Sequence, residues 1–242
     1  MISSREGDPI KRPFMIEFLD IGLKPYKEVL NLQYKLHAER VQNKISDTII
    51  FCEHSPVYTI GKRWCDEDWL SDLKAITDDG IETVKTDRGG RITYHGPGQL
   101  VVYFIFDINR RKVGIKDFVH KVEGVCLETL AEFGINAVRD PEYPGLWVRT
   151  QITFHPHPLP SGERAGSEGG WCKLVALGFH VSQGITMHGI AINVNPNLDH
   201  YKHIIPCGIK GRYVTSMATI LSRDISIQKV SDAFRQKVSD TF

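Results

Sequence analysis

The segment "RGGRITYHGPGQ", residues 88 to 99, holds four glycines and a proline and runs straight into the apolar stretch "LVVYFIFD". Glycine is entropically costly to order, so such a run ahead of a buried strand needs a reason. Four are open: a phosphate cradle, a hairpin turn, a metal site, or a wall along which a substrate lies against the main chain. A Walker loop needs GxxxxGK followed by Ser or Thr, and a dinucleotide fingerprint needs GxGxxG between a strand and a helix. Neither is present. The stretch after Gly98 is strand-like, so no helix N-terminus stands there to receive a phosphate. Glycine turns around a short strand "RITYH" and a substrate wall both remain open.

The chain has 242 residues, 41% of them hydrophobic, enough for one large core or two small ones. Thirty Lys and Arg against 29 Asp and Glu leave a formal charge of +1, without the overall field that a nonspecific nucleic-acid binder needs. No run approaches the roughly 18 apolar residues of a membrane span, and "MISSREGDPIKRPF" lacks the apolar core of a signal peptide. The chain reads as cytosolic, with no membrane or nucleic-acid partner. Residues 1 to 13 read as a flexible polar leader. Tyr26, Val29, Leu30, Gln33 and Leu36 predict a helix over 25 to 42, with Pro25 suited to its first turn. "DTIIFCE" and "PVYTI" predict strands, as do "GLWV", "KLVALGFHVS" and "GITMHGIAINVN", the last two joined by a hairpin at "QG". The stripe Phe118, Val122, Val125, Cys126, Leu130 predicts a second long helix ending at Gly134, and a third is expected near 225 to 240. "ITFHPHPLPSGERAGSEGGW", residues 152 to 171, has no usable period and is expected to be an exposed excursion between two strands. Its His155 and His157 lack a third metal ligand and read as surface residues. Strands flanked by separate long helices, without βαβ alternation, predict an α+β fold.

The five cysteines are odd in number, widely spaced and never CxxC, which argues against a disulfide framework and a structural zinc site. Cys52 and Cys126 fall at core positions of a strand and a helix. Cys65 reads as an incidental loop thiol. Cys172 and its neighbour Lys173 point to opposite faces of a strand. Cys207 differs, standing in "IIPCGIKG" between a proline that fixes the chain and a glycine that permits close approach. A free thiol, ordinarily near pKa 8.5, is mostly protonated at neutral pH, so a nucleophilic role requires a nearby cation. Lys173 is the candidate. An ammonium favours the thiolate, and an apolar strand such as "LVALGF" would let the same amine take and return protons.

Taken together, "EHSPVYTIG" (53 to 61), "RGGRITYHGPGQ", "KLVALGFHV" (173 to 181), "HGIAINVN" (188 to 195) and "PCGIKG" (206 to 211) resemble the lipoyl(octanoyl) transferases of lipoate biosynthesis, over about residues 14 to 220. The resemblance implies an α+β fold shared with lipoate- and biotin-protein ligases, a mixed or antiparallel sheet with packed helices. Residues 14 to 242 would form one catalytic domain, interrupted by the 152 to 171 loop. It implies an acyltransferase without metal or cofactor. An octanoyl group would pass from acyl carrier protein to a lysine of a lipoyl domain, as in 2-oxoacid dehydrogenase E2 subunits or the glycine-cleavage H protein. By the family's pattern Cys207 is the thioester nucleophile and Lys173 its proton shuttle. Arg88, Gly89, Gly90, Arg91, Ile92, Thr93, Tyr94 and His95, with Ala176, Leu177, Gly178, Gly189, Ile190 and Ala191, would line the acyl site.

Thioester exchange is nearly isoenergetic, so this route needs no ATP, and side-chain-free glycines suit a wall for a fatty chain. His95 and His188 would position or polarise, or be structural, and Gln99 would tie down the loop. The 152 to 171 excursion departs from the family's tight turn and would either bulge into solvent or shift Lys173. The basic run after Cys207, with Arg110, Arg111 and Lys112, reads as a solvated face or as a patch for an acidic carrier. Two other readings stand beside this one: an ATP-dependent lipoate or biotin-type protein ligase, which would not need Cys207, and a non-catalytic protein that binds acyl groups or lipoyl domains.

Overall fold

The computed structural model describes residues 15–150, 170–209 and 212–242. In chain order the elements are β1 (Ile16–Lys24), α1 (Tyr26–Val41), β2 (Asp47–His54), β3 (Val57–Ile60), α2 (Leu73–Asp78), β4 (Glu82–Lys85), β5 (Ile92–His95) and β6 (Gln99–Ile105). They continue with α3 (Ile115–Glu132), β7 (Val138–Arg139), β8 (Leu146–Thr150), β9 (Gly170–Ser182), β10 (Ile185–Asn193), β11 (Tyr213–Val214), α4 (Met217–Leu221) and α5 (Ile227–Thr241). The fold is α+β. The expected leader, His155 and His157 lie outside the described residues. Gly170 and Trp171, placed in the excursion by their composition, instead open β9 and pair with Thr150 and Arg149.

One mixed sheet runs β1-β2-β6-β10-β9-β8-β7, with β11 also paired to β9; β4-β3-β5 form a second, smaller sheet. Strand β6 explains the long apolar run of the sequence, because both its faces are covered. Val101, Tyr103 and Ile105 pack toward α1 with Tyr26, Val29 and Leu30. Leu100, Val102 and Phe104 pack on the other face with Phe118 and Val122 of α3 and Val230 and Phe234 of α5. The helical stripe read from Phe118 to Leu130 is that second face. The "QG" hairpin joins β9 to β10, with Gln183 and Gly184 both at positive φ.

"GPG" makes a corner. β5 pairs with β3 in the small sheet and β6 with β2 and β10 in the large one, so residues 96 to 98 carry the chain from one sheet to the other. Gly98, at φ +88°, passes so close to the Asn195 carbonyl that a Cβ would lie 2.4 Å from its oxygen. The other placement that matters is β11. It lies parallel beside the start of β9, pairing Tyr213 with Cys172 and Val214 with Lys173, and Thr215 N–H donates to the Lys173 carbonyl at 3.1 Å. The chain that has just passed Cys207 is thereby tied to the strand that carries Lys173.

Arg111 does not join the basic patch that its composition suggested. It turns inward, donating to Asp47 at 2.6 Å and to the Phe242 carbonyl, with its guanidinium 4.6 Å from the Phe106 ring centre. Asp47, 3% exposed, also accepts from Arg40, 1% exposed, at 2.8 Å. Removing one member of a buried ion pair leaves its partner charge uncompensated. Asp47→Asn is therefore expected to lower unfolding free energy by about 3–5 kcal/mol in urea titrations; an unchanged midpoint would contradict this reading of the interior.

Candidate active site

Two cavities meet at Cys207. The inner is a narrow recess of about 40 Å³ bordered by Tyr26, Arg88, Thr93, His95, Val101 and Tyr103, by the 176–178 and 189–191 segments, and by Cys207. The outer is a wide chamber of about 730 Å³ that includes Lys173, Tyr143, Pro144, Ile115, Val119 and, again, Cys207. Gly90, Arg91, Leu177 and Gly178 border both.

The recess follows from register. β9 and β10 pair Ala176 with Ala191, Leu177 with Ile190 and Gly178 with Gly189. β10 and β6 pair Ala191 with Val101 and Gly189 with Tyr103. Small residues thus stand side by side across the centre of the sheet, and the missing side chains leave a groove. Gly189 cannot be enlarged, since a Cβ would lie 2.0 Å from the Val102 carbonyl oxygen.

The loop before β5 supplies the roof. Buried Arg88 donates to the Thr59 hydroxyl at 3.0 Å and to the Gly89 carbonyl at 2.9 Å, and Gly89 N–H reaches the Phe179 carbonyl of β9 at 3.1 Å. On β5 the alternation divides the predicted lining. Thr93 and His95 border the recess, whereas Ile92 and Tyr94 face the other way, into a cluster with Tyr58, Ile76 and Tyr201. Gly89 borders only the outer chamber.

Arg91 is engaged with protein. Its Nε donates to Asp68 at 2.9 Å, its guanidinium also meets the Cys65 sulfur, and its stem lies against Gly208. Asp68 in turn accepts Ile205 N–H at its carbonyl, 2.8 Å, and Trp69 bridges Ile204. This contact braces the turn that carries the nucleophile candidate. Cys207 itself has φ 57° and ψ 13°, a left-handed conformation that a side chain adopts at a cost of about 1–2 kcal/mol. Strain of that kind is held only where the surroundings over-determine it.

Cys52 and Cys126 are buried, and burial pushes both thiols up. Cys172 is pushed up to about 11 by burial, on the core side of β9. Lys173 is 6% exposed. Its ammonium donates to the Pro144 carbonyl at 3.1 Å and lies 4.8 Å from the Trp147 ring centre. Among the described residues no hydrogen bond joins it to the Cys207 sulfur; the two share the chamber wall.

Histidines surround the inner end. Burial holds His95 down to about 3 while its Nδ1 bonds Gln99 Oε1 at 2.6 Å, and Gln99 also ties to Asn193. His54, against the Tyr103 hydroxyl at 2.7 Å, is held by burial down to about 4. His188 bonds Asp87 at 2.7 Å, a contact that is the first cause of the Asp87 carboxyl falling to about 2. Sequence reasoning does not single out Tyr26, Val101, Tyr103 or Asp87. The first three look like ordinary core residues in their helix and strand, and Asp87 stands beside the more conspicuous Arg88.

This chain belongs to the family of lipoyl protein ligase A/B catalytic domains, whose sequence model matches residues 25–239. Within that family its relatives include octanoyltransferases. That of Caldicellulosiruptor saccharolyticus is 41% identical over 207 residues, covering 85% of this chain and 79% of the relative. That of Alkaliphilus metalliredigens is 34% identical over 228 residues, covering 94% and 95%. The fold is also that of a bipartite lipoate protein ligase from Thermoplasma acidophilum, with TM-score 0.64 at 17% identity over 93% of this chain and 82% of that one. A P. falciparum protein solved with lipoate gives TM-score 0.67 at 15% identity, covering 94% of this chain and 62% of that one.

The buried histidines set a pH dependence. His95 and His54 are neutral in the folded protein down to about 3 and about 4, while in the unfolded chain they bind protons below about 6.5. The unfolded state therefore takes up protons that the folded state refuses. Their contribution to stability is full above about pH 6.5 and is lost as pH falls, toward about 4 for His54 and about 3 for His95. Urea midpoints are expected to fall across that window, and His95→Gln to flatten the slope; a midpoint rising on acidification would contradict the assignment.

Proposed function

We propose that this acyltransferase takes an octanoyl group from the thioester of acyl carrier protein onto Cys207 and passes it to the lysine of a lipoyl domain. The acceptors would be 2-oxoacid dehydrogenase E2 subunits and the glycine-cleavage H protein, in the cytoplasm. Residues 14 to 242 act as one catalytic domain in this reading. The observation that carries it is that Cys207, alone among the five cysteines, borders both cavities. An acyl group bonded to that sulfur has a recess for its tail on one side and an approach for donor and acceptor on the other.

In the first step the Cys207 thiolate attacks the carrier thioester. The carbonyl carbon gains the bond to Cys207, the carrier sulfur leaves, and the proton that Lys173 took from the thiol returns to it. In the second the acceptor amine attacks the new thioester, Cys207 leaves as thiolate, and the amine's proton goes to Lys173. The tail would lie along the Ala176–Ala191 and Gly178–Gly189 pairs under the Arg88 to Gly90 roof. Thr93 and His95 border it, and Tyr26 and Tyr103 close the inner end. Each buried methylene contributes about 0.8 kcal/mol. At about 40 Å³ the recess holds about three waters, so an eight-carbon chain must part the lining side chains as it enters. Lipoate ligases share this fold, yet a ligase forms an adenylate and has no use for a cysteine at the junction of two cavities.

Intact-mass analysis after incubation with octanoyl-carrier tests the scheme. One octanoyl adduct is expected, released by hydroxylamine and absent in Cys207→Ser, and Lys173→Ala is expected to slow its formation by about 10²–10⁴. Acceptor modification that depends on ATP, with no adduct, would instead point to a ligase. Carrier binding without turnover would point to a binding protein.

A further inference from the structure

The surroundings of Lys173 contain a device that the transfer scheme does not use. Strand β8 runs antiparallel to β9, and a register shift between Leu146 and Trp147 sets Trp147 directly opposite Lys173. Trp147 is 1% exposed, and its indole Nε1–H donates to the Tyr143 carbonyl at 2.9 Å, which fixes the plane of the ring. Between these two residues the chain hugs the lysine stem. Gly145 sits at φ +122°, and a Cβ there would come within 2.6 Å of the Val175 carbonyl oxygen and 3.3 Å of Lys173 Cε. That passage turns the Pro144 carbonyl onto the ammonium, at 3.1 Å. The ammonium is thus held from two sides, by a carbonyl and by an aromatic face 4.8 Å away. Arg212 lies 5.1 Å from the same ring and 5.2 Å from that of Tyr143, and Asp140 holds its guanidinium at 3.1 Å. The indole is therefore a shared platform for two cations, one of them tied to a carboxylate.

We propose that Trp147 is a positioning residue for acyl transfer: its indole face fixes the Lys173 ammonium on the wall of the chamber that the Cys207 sulfur borders. A lysine carries four rotatable bonds, and with the Pro144 carbonyl as its one remaining hold among these contacts the amine would be freer to leave its place on the chamber wall. An aromatic face is suited to the task because it attracts the charged amine without accepting its proton, which leaves the amine free to exchange protons with sulfur. The inference rests on the Cys207–Lys173 reading above.

The full-length chain is assayed as Trp147→Leu and Trp147→Phe, each alone and in a Lys173→Ala background, for the single-turnover rate of Cys207 octanoylation and for its dependence on carrier concentration. Loss of the ring in Trp147→Leu is expected to slow acylation about tenfold, with half-saturation within about twofold, and Trp147→Phe to recover it to within about threefold. In the Lys173→Ala background Trp147→Leu is expected to change nothing further, a coupling that a purely structural role would not produce. Equal losses in both backgrounds overturn the proposal, as does an unimpaired Trp147→Leu beside a slow Lys173→Ala. A Lys173→Ala enzyme as fast as the parent overturns this inference together with the reading it rests on. Should Trp147→Leu not fold, the 19F resonance of 5-fluorotryptophan at position 147, assigned with Trp147→Phe, decides. It is expected to move in Lys173→Met, and an unmoved resonance overturns the contact.

Discussion

A buried arginine joins the two sheets, and the site depends on it. Arg88 lies in the loop before β5, yet its guanidinium is spent on the Thr59 hydroxyl and carbonyl of β3 and on the Gly89 carbonyl of its own loop. Gly89 in turn donates to β9. A charged group this deep is tolerated only when its donors are matched, and here each bond closes the glycine loop over the central strands. Glycines make the closure possible. A Cβ at Gly61 would lie 2.4 Å from the Gly90 carbonyl oxygen and one at Gly178 3.1 Å from that of Gly89. The puzzle set by residues 88 to 99 resolves as close approach of main chain to main chain, with a recess left where the small residues of β9 and β10 face one another.

The same economy governs the proposed nucleophile. Cys207 is delivered by a turn whose flanks are fixed at both ends, by Asp68 and Trp69 on one side and by β11 on the other. Lys173 lies in the middle of this arrangement because β9 is long enough to pair with β10 over one stretch and with β11 over another. Two residues far apart in sequence share a chamber as a consequence of one strand's length. Polar groups at the inner end, His54, His95, Gln99 and Tyr103, satisfy one another and keep that end rigid.

Much of this was legible in the sequence. The Phe118 to Leu130 stripe gave its helix, the "QG" turn its hairpin, and β-branched runs their strands, because local period and turn chemistry agree with the tertiary result. Cys207 and Lys173 stood out through the chemistry of their neighbours. Other features depended on long-range pairing and left no local mark. Tyr26 and Tyr103 reach the recess from a helix start and a strand whose patterns read only as core. Treating residues 88 to 95 as a block overlooks the period of two that sends Ile92 and Tyr94 to the opposite face. In the basic run at 110 to 112, read as a solvated face or a carrier patch, Arg110 and Lys112 are exposed while Arg111 turns inward, because composition does not reveal that Asp47 and the Phe242 carbonyl wait for it. The corner at "GPG" could be read as a hairpin turn as well as a substrate wall, because the same residue types serve turns and sheet-to-sheet corners alike.

The proposed transfer requires one sulfur to stand between a recess for an acyl tail and a chamber holding an amine. A crystal structure of the octanoylated enzyme would decide the point. Density is expected to run unbroken from the Cys207 sulfur, with the tail lying across the Ala176–Ala191 and Gly178–Gly189 pairs toward Tyr26 and Tyr103, and the Lys173 amine beside the thioester. A tail lying in the outer chamber, or an acyl group on any other side chain, would refute the arrangement.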